Sequence, residues 1–188
     1  MQIKTLIDIH SKIFFNTFAA NVNTISNTMI RNVIKSDAKS ITQIYNHYIL
    51  HSTISFETKT LTCEEMGKRI ADISSSYPYY VYEEDGKIAG YCYAHPWKER
   101  AAYQNTLETT IYISPAHTHK GIGELLMRAL IDECRNRGFH ALIACITADN
   151  DPSCRFHAKL GFKQVSLFKE VGMKFGKWLD VADYELLL

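Results

Sequence analysis

Glu108-Thr109-Thr110-Ile111-Tyr112-Ile113-Ser114-Pro115-Ala116-His117-Thr118-His119-Lys120-Gly121-Ile122-Gly123 is the stretch on which the fold turns. Its first six residues are β-prone, and an amphipathic helical pattern follows its last one. Two glycines at that junction let the backbone turn tightly and leave its N–H groups uncovered. Such groups, at the positive end of a helix macrodipole, form a phosphate site. No Asp or Glu stands between Glu108 and Glu124, whereas His117, His119 and Lys120 do. The pattern predicts a cradle for the diphosphate of a nucleotide-bearing cofactor. The bland alternative is an ordinary glycine-containing strand-to-helix turn.

Other phosphate motifs fail on the residues. No Gly-Lys-[Ser/Thr] follows the glycines, so this is not a Walker-type loop. Leu126 stands where a dinucleotide fingerprint needs its third Gly, and no ribose-binding acid follows the helix. A G-x-S-x-G nucleophile elbow is absent. His117-x-His119 has no third or fourth ligand at sensible spacing, so no metal is expected.

Working outward, the helix from about Gly121 to Arg137 is expected to bury Ile122, Leu125, Leu126, Ala129, Leu130 and Cys134, with Gly138 as its stop. Ala141 to Thr147 reads as a buried strand. Asp151-Pro152 opens a helix that ends at Gly161. Gln164 to Lys169 and Val181 to Leu187 read as closing strands. Upstream, Ile30 to Ile34 is a short strand, and Ser36 is the expected cap of a helix with Ile41, Ile44, Tyr45, Tyr48 and Ile49 on one face. Thr62-Cys63-Glu64-Glu65 is a capping-box pattern before a second helix. Tyr79 to Tyr82 and Ile88 to Tyr93 flank Asp85-Gly86, a hairpin turn. The fold class is α+β, a mixed and mainly antiparallel sheet flanked by helices.

The 188 residues suit one domain with a sizeable core. A net charge of +1 argues against a broad nucleic-acid surface. Cys63, Cys92, Cys134, Cys145 and Cys154 are odd in number and form no C-x-x-C pair. They read as reduced thiols of a cytoplasmic protein. No apolar run approaches the ~20 residues that span a bilayer. Residues 1–28 are expected to be an extension outside a core of 29–188. A signal peptide or targeting presequence stays open there, weakened by the short run Ile13-Phe14-Phe15 and by Asp8.

The strand–loop–helix around Gly121-Ile122-Gly123, then Asn150-Asp151-Pro152 and His157-Ala158-Lys159-Leu160-Gly161-Phe162, resembles the GNAT superfamily of acyl-CoA-dependent N-acetyltransferases. Ile44 to Ile49, Ala94 to Arg100, Ala102-Tyr103, Glu108 to Pro115 and Asn150 to Ser153 narrow the likeness to the phosphinothricin and methionine sulfoximine N-acetyltransferase family. The resemblance runs from about Met29 to the C-terminus. It implies the GNAT fold, acetyl-CoA as cosubstrate, a small amino acid-like acceptor and a homodimer, with no membrane, nucleic-acid or metal partner. One departure is Thr118, where family loops carry Gln or Arg three residues before the first Gly.

The chemistry needs a neutral amine, and an α-amine with a pKa of about 8 is mostly protonated near neutrality. A carboxylate can take that proton. The resemblance gives this role to Glu108 and places His157 where it can donate to the leaving sulfur. It implies that Ile111, Tyr112 and Ile113 pair with pantetheine between splayed strands. Thr118, His119, Lys120, Gly121, Ile122 and Gly123 would hold the diphosphate, and Asn150 and Ser153 would touch the cofactor. Lys98 and Arg100 suit an acceptor carboxylate or phosphinate, with Phe56, Tyr103 and Thr110 around it; the alternatives are solvated loop charge and core packing. Two further functional readings stay open: another amine as acceptor (polyamine, aminoglycoside or protein), and an acyl-CoA-binding module without catalysis.

Overall fold

The computed structural model describes residues 27–188. Most of the expected extension, residues 1–26, lies outside them. Eight strands form one sheet: β1 (Thr28–Asn32), β2 (Tyr79–Glu84), β3 (Lys87–Pro96), β4 (Thr106–Ile113), β5 (Ala141–Thr147), β6 (Lys163–Gln164), β7 (Phe168–Lys174) and β8 (Lys177–Leu187). Four helices accompany them: α1 (Ala38–His51), α2 (Cys63–Ser74), α3 (Ile122–Asn136) and α4 (Asp151–Lys159). The strand order is β1-β2-β3-β4-β5-β8-β6, with β7 also on β8. Every pairing is antiparallel except β4 with β5.

Alternation along the strands splits the core in two. Tyr79, Val81 and Tyr91 pack with Ile41, Ile44, Ile49, Met66 and Ile70 of α1 and α2. Cys92, Ala94 and Leu107 pack on the other face with Leu126, Met127, Leu130 and Cys134 of α3. The sheet is therefore sandwiched, and β4 and β5 run through its middle.

Local chemistry accounts for the element ends. The Thr62 N–H donates to Glu65 Oε2 at 2.7 Å, and the Glu65 N–H returns a bond to Thr62 Oγ1 at 3.2 Å. That reciprocal cap starts α2. Asp85 and Gly86 take φ values of 50° and 75°, the two positive angles a tight hairpin needs.

Four local expectations are corrected. Ser36 does not cap α1: a 3₁₀ turn at Lys35–Asp37 precedes the helix. Asp37 organises that junction, accepting from the Ile34 N–H at 2.9 Å and from both terminal nitrogens of Arg31. On α3 the buried face includes Met127 and Ile131, whereas Leu125 is exposed and Ala129 half-buried. The buried stripe is rotated because the helix meets β2 and β3 as well as β4. The C-terminal strands are three, not two. Phe175 (φ 53°) and Gly176 (φ 73°) turn β7 into β8. Lastly, the first strand begins at Thr28, with Asn27 bonded to Asp85.

Candidate active site

β4 and β5 run in parallel for only three pairs: Thr106 with Ala141, Leu107 with Leu142, and Glu108 with Ile143. Beyond Glu108 the two strands carry on without pairing each other. β4 stays attached to β3 and β5 to β8, so the sheet opens along a seam. Backbone N–H and C=O groups on the facing edges are left for another partner. A cavity of about 690 Å³ occupies this opening. Thr109 to Tyr112 form one wall, Ala144 to Thr147 another, and Asn150, Ser153 and His157 of the α4 end close it. Its lining also includes Tyr45, Phe56, Glu57, Arg69, Tyr93 and His95.

Glu108 sits where the seam begins. Its side chain is 30% exposed, and His95 Nε2 lies 3.9 Å from Oε1. Burial pushes its carboxyl above the ordinary glutamate range; His95 opposes this and Asp183 adds to it. A carboxylate so raised is a better proton acceptor near neutral pH than an ordinary one. Cys145 lies on the same seam and is exposed to it, and desolvation there, with Glu108 and Asp183 nearby, raises its thiol above the ordinary range.

His157 is buried, and that burial holds its imidazole below the ordinary histidine range. Nδ1 lies 2.9 Å from the Ser153 carbonyl oxygen. A carbonyl only accepts, so the neutral ring carries its proton on Nδ1 and leaves Nε2 bare. This narrows the sequence expectation: only the protonated ring has a second N–H to offer a sulfur atom, and burial disfavours that form.

The glycine loop follows β4 directly. Gly121 takes φ 78°, where an L side chain is strained, and a Cβ there would meet nothing within 4 Å. Its glycine is therefore required by conformation and not by crowding. His119 also has positive φ, at 62°. Among the described residues, no hydrogen bond uses the N–H groups of residues 118–123. Thr118 spends its hydroxyl on the Pro115 carbonyl at 3.2 Å. The sequence around the loop is free of acids, yet tertiary structure supplies one. Glu84 Oε2 lies 3.4 Å from His117 Nε2 and 3.9 Å from Lys120 Nζ.

The remaining expected residues divide. Phe56, Thr110, Ile111, Tyr112, Asn150 and Ser153 all line the cavity. Ile113 does not, and its carbonyl accepts from Tyr48 Oη at 2.6 Å. Asn150 also caps α4 through the Ser153 N–H at 3.3 Å. Lys98, Arg100 and Tyr103 are not brought to the cavity. Lys98 Nζ lies 3.9 Å from the centre of the Trp97 ring, and Tyr103 meets Trp97 edge-on at 5.3 Å. This loop packs on itself beyond the end of β3. Sequence reading missed Tyr45, Glu57, Arg69, Tyr93 and His95 on the cavity lining. An Arg five residues before the end of an amphipathic helix carries no local mark of a cavity. His95, two residues before Trp97 and paired in register with Glu108, was the one with a signal to find.

The acetyltransferase (GNAT) domain model matches residues 30–182. The chain belongs to the GNAT acetyltransferase family. Among its relatives is the L-methionine sulfoximine/L-methionine sulfone acetyltransferase of Salmonella typhimurium, 38% identical over 85% of this chain and 94% of the relative. The phosphinothricin N-acetyltransferase of Streptomyces viridochromogenes is 37% identical over 84% of this chain and 88% of the relative. The fold matches the GNAT superfamily phosphinothricin acetyltransferase of Sinorhizobium meliloti, solved in complex with acetyl-CoA, with TM-score 0.83 and 36% identity over 86% of this chain and 88% of that one. The chain thus has the GNAT fold of acetyl-CoA-dependent N-acetyltransferases. The seam and the bare loop amides fit that cosubstrate: unpaired strand edges suit the amides of a pantetheine arm, and N–H groups suit a diphosphate. Among the described residues no cluster of three or more His, Cys, Asp or Glu could hold a metal ion, and no helix is long and apolar enough to cross a membrane.

Proposed function

We propose that this protein moves the acetyl group of acetyl-CoA to the amine of a small amino acid-like acceptor, of the phosphinothricin or methionine sulfoximine kind, with Glu108 as general base. The observation that carries the reading is the parting of β4 and β5 immediately after Glu108. One carboxylate, Glu108, stands on the cavity wall where the strands part.

The unpaired edges of residues 109–112 and 144–147 hold and orient the thioester arm, while the amides of residues 118–123 hold the diphosphate. Ile122 and Gly123 serve there through their backbone, and His119 and Lys120 add positive charge in place of the side chain that Thr118 lacks. Asn150 and Ser153 border the arm beside His157. Glu108 takes the proton of the incoming ammonium, directly or through water, and so generates the attacking amine. Holding both reactants in one cavity supplies most of the acceleration. The leaving thiolate, with a thiol pKa of about 8.5, departs as an anion, and the second proton, shed by the new amide nitrogen, passes to it or to solvent water. His157 protonates it only in the minor charged form.

Homodimer formation and a cytoplasmic location belong to the same proposal. The exposed apolar residues of β7 and β8, Phe168, Val171, Met173 and Trp178, are a surface suited to a second copy. The test of the main reading is thiol release from acetyl-CoA over a panel of amino acids, polyamines and aminoglycosides. Turnover is expected on phosphinothricin, methionine sulfoximine or methionine sulfone. Binding of acetyl-CoA with no turnover on any amine would make the protein a sensor and refute the reading.

A further inference from the structure

The turn into α3 gathers positive character from three sources. The amides of residues 118–123 engage no hydrogen bond among the described residues, α3 starts at Ile122 with its positive end toward them, and His119 and Lys120 stand in the same turn. Tertiary structure sets a carboxylate against this charge. Glu84, the last residue of β2, has Oε2 3.9 Å from Lys120 Nζ and 3.4 Å from His117 Nε2. His117 Nδ1 is buried and has no partner among the described residues, so Glu84 is the polar contact of that ring. The other acid at the turn, Glu124 in the first turn of α3, is already engaged by Arg128 at 2.8 Å and Lys159 at 2.6 Å. Glu84 pairs with no cation outside the loop among the described residues. Its whole electrostatic effect therefore falls on the phosphate-binding turn.

An ammonium is a compact charge on a flexible stem, and drawing it toward one anion takes it from another. A diphosphate arriving at the turn meets a lysine already committed to Glu84, and a carboxylate of its own sign close by. The part of the ligand that feels this is the nucleotide, which acetyl-CoA and CoA have in common. A grip shared by substrate and product lowers KM without raising kcat, and it holds the product back. A carboxylate that loosens this grip speeds the departure of CoA.

We propose that Glu84 is a positioning residue that draws Lys120 away from the diphosphate and so weakens the hold of the loop on acetyl-CoA and CoA alike. The inference rests on the loop holding the diphosphate, as read above.

Glu84→Gln tests this, because it keeps an oxygen for His117 and removes only the charge. The KM for acetyl-CoA and the inhibition constant of CoA should both fall by the same factor, about two- to fivefold, the range of a partly exposed ion pair. The kcat should stay level or drop. Lys120→Gln should cost little beside Glu84 and more in the Glu84→Gln background, where the freed lysine acts on the diphosphate. Asp85→Asn is the control for general surface charge: Asp85 neighbours Glu84 but bonds the Asn27 N–H, and its loss should leave both constants unchanged. Weaker binding in Glu84→Gln would mean that the carboxylate supports the loop, and it overturns the proposal. Unchanged constants, a fall for acetyl-CoA that CoA does not share, an equal effect of Asp85→Asn, or an equal cost of Lys120→Gln in both backgrounds overturns it too. If Gly121→Ala leaves acetyl-CoA binding intact, the loop reading itself is lost. If Gly121→Ala weakens binding and Glu84→Gln does not tighten it, the present proposal alone is lost.

Discussion

Replacing Glu108 by Gln keeps the shape of the side chain and removes its ability to accept a proton. General-base help is worth about 10²–10⁴ in rate. The carboxylate is 30% exposed at the mouth of the seam, so water can partly take its place. The expected loss in kcat therefore falls in the lower half of that range, about 10²–10³, or roughly 2.7–4 kcal/mol in barrier. The KM for acetyl-CoA should scarcely move, because the loop amides and strand edges are untouched. The pH profile adds an independent readout. Wild-type activity should fall on the acid side as Glu108 takes a proton, and this limb should lie above the ordinary carboxylate range because burial raises the group. In the Gln variant the limb disappears, and only the rise from deprotonation of the amine itself remains. The assay is steady-state thiol release with a saturating amino acid acceptor. Near-wild-type turnover at neutral pH, or an unchanged acid limb, would refute the assignment of the base.

The charges flanking Glu108 should move that limb in opposite directions. His95→Gln removes the imidazole neighbour that lowers the Glu108 pKa and should shift the limb to higher pH. Asp183→Asn removes the negative neighbour that raises it and should shift the limb to lower pH. Shifts of the same sign would contradict the electrostatics. Gly121→Ala forces a side chain into φ 78°, at about 1–2 kcal/mol of strain, and should weaken acetyl-CoA binding by about tenfold in calorimetry. Gly138→Ala, equally strained at φ 79° but past the far end of α3, is the control that should leave this affinity unchanged. Arg31→Ala strands the buried Asp37 carboxylate that it holds at 2.7 and 2.9 Å. The expected cost is about 2–3 kcal/mol in urea unfolding, below that of a fully buried pair because Arg31 is 23% exposed; an unchanged midpoint would mean that the pair contributes nothing.

Local patterns carried the fold class, the hairpin at Asp85-Gly86, the cap at Thr62 and the left-handed turn at Gly121. Each depends on residues within a few positions of one another, where backbone sterics and capping chemistry act. The β7–β8 hairpin escaped because its turn opens with Phe175 instead of Asn or Asp, and because β7 is exposed along most of its length. The α3 stripe was misplaced by a fraction of a turn, since several residues sit at its margin and the partner strands decide which are covered.

By itself the sequence determined the order of elements from β1 to α4, the glycine turn that opens α3 and the kinship with N-acetyltransferases. Only the tertiary structure decided where β4 leaves β5, which charges surround Glu108, and that Glu84 faces the loop. It also exchanged Lys98 and Arg100 for Arg69 as the cation on the cavity. The reason is that a turn or cap is fixed by neighbours in the chain, whereas the field at a site is set by side chains from α1, α2, β3 and β8. Their meeting is a product of packing, and no local spacing encodes it.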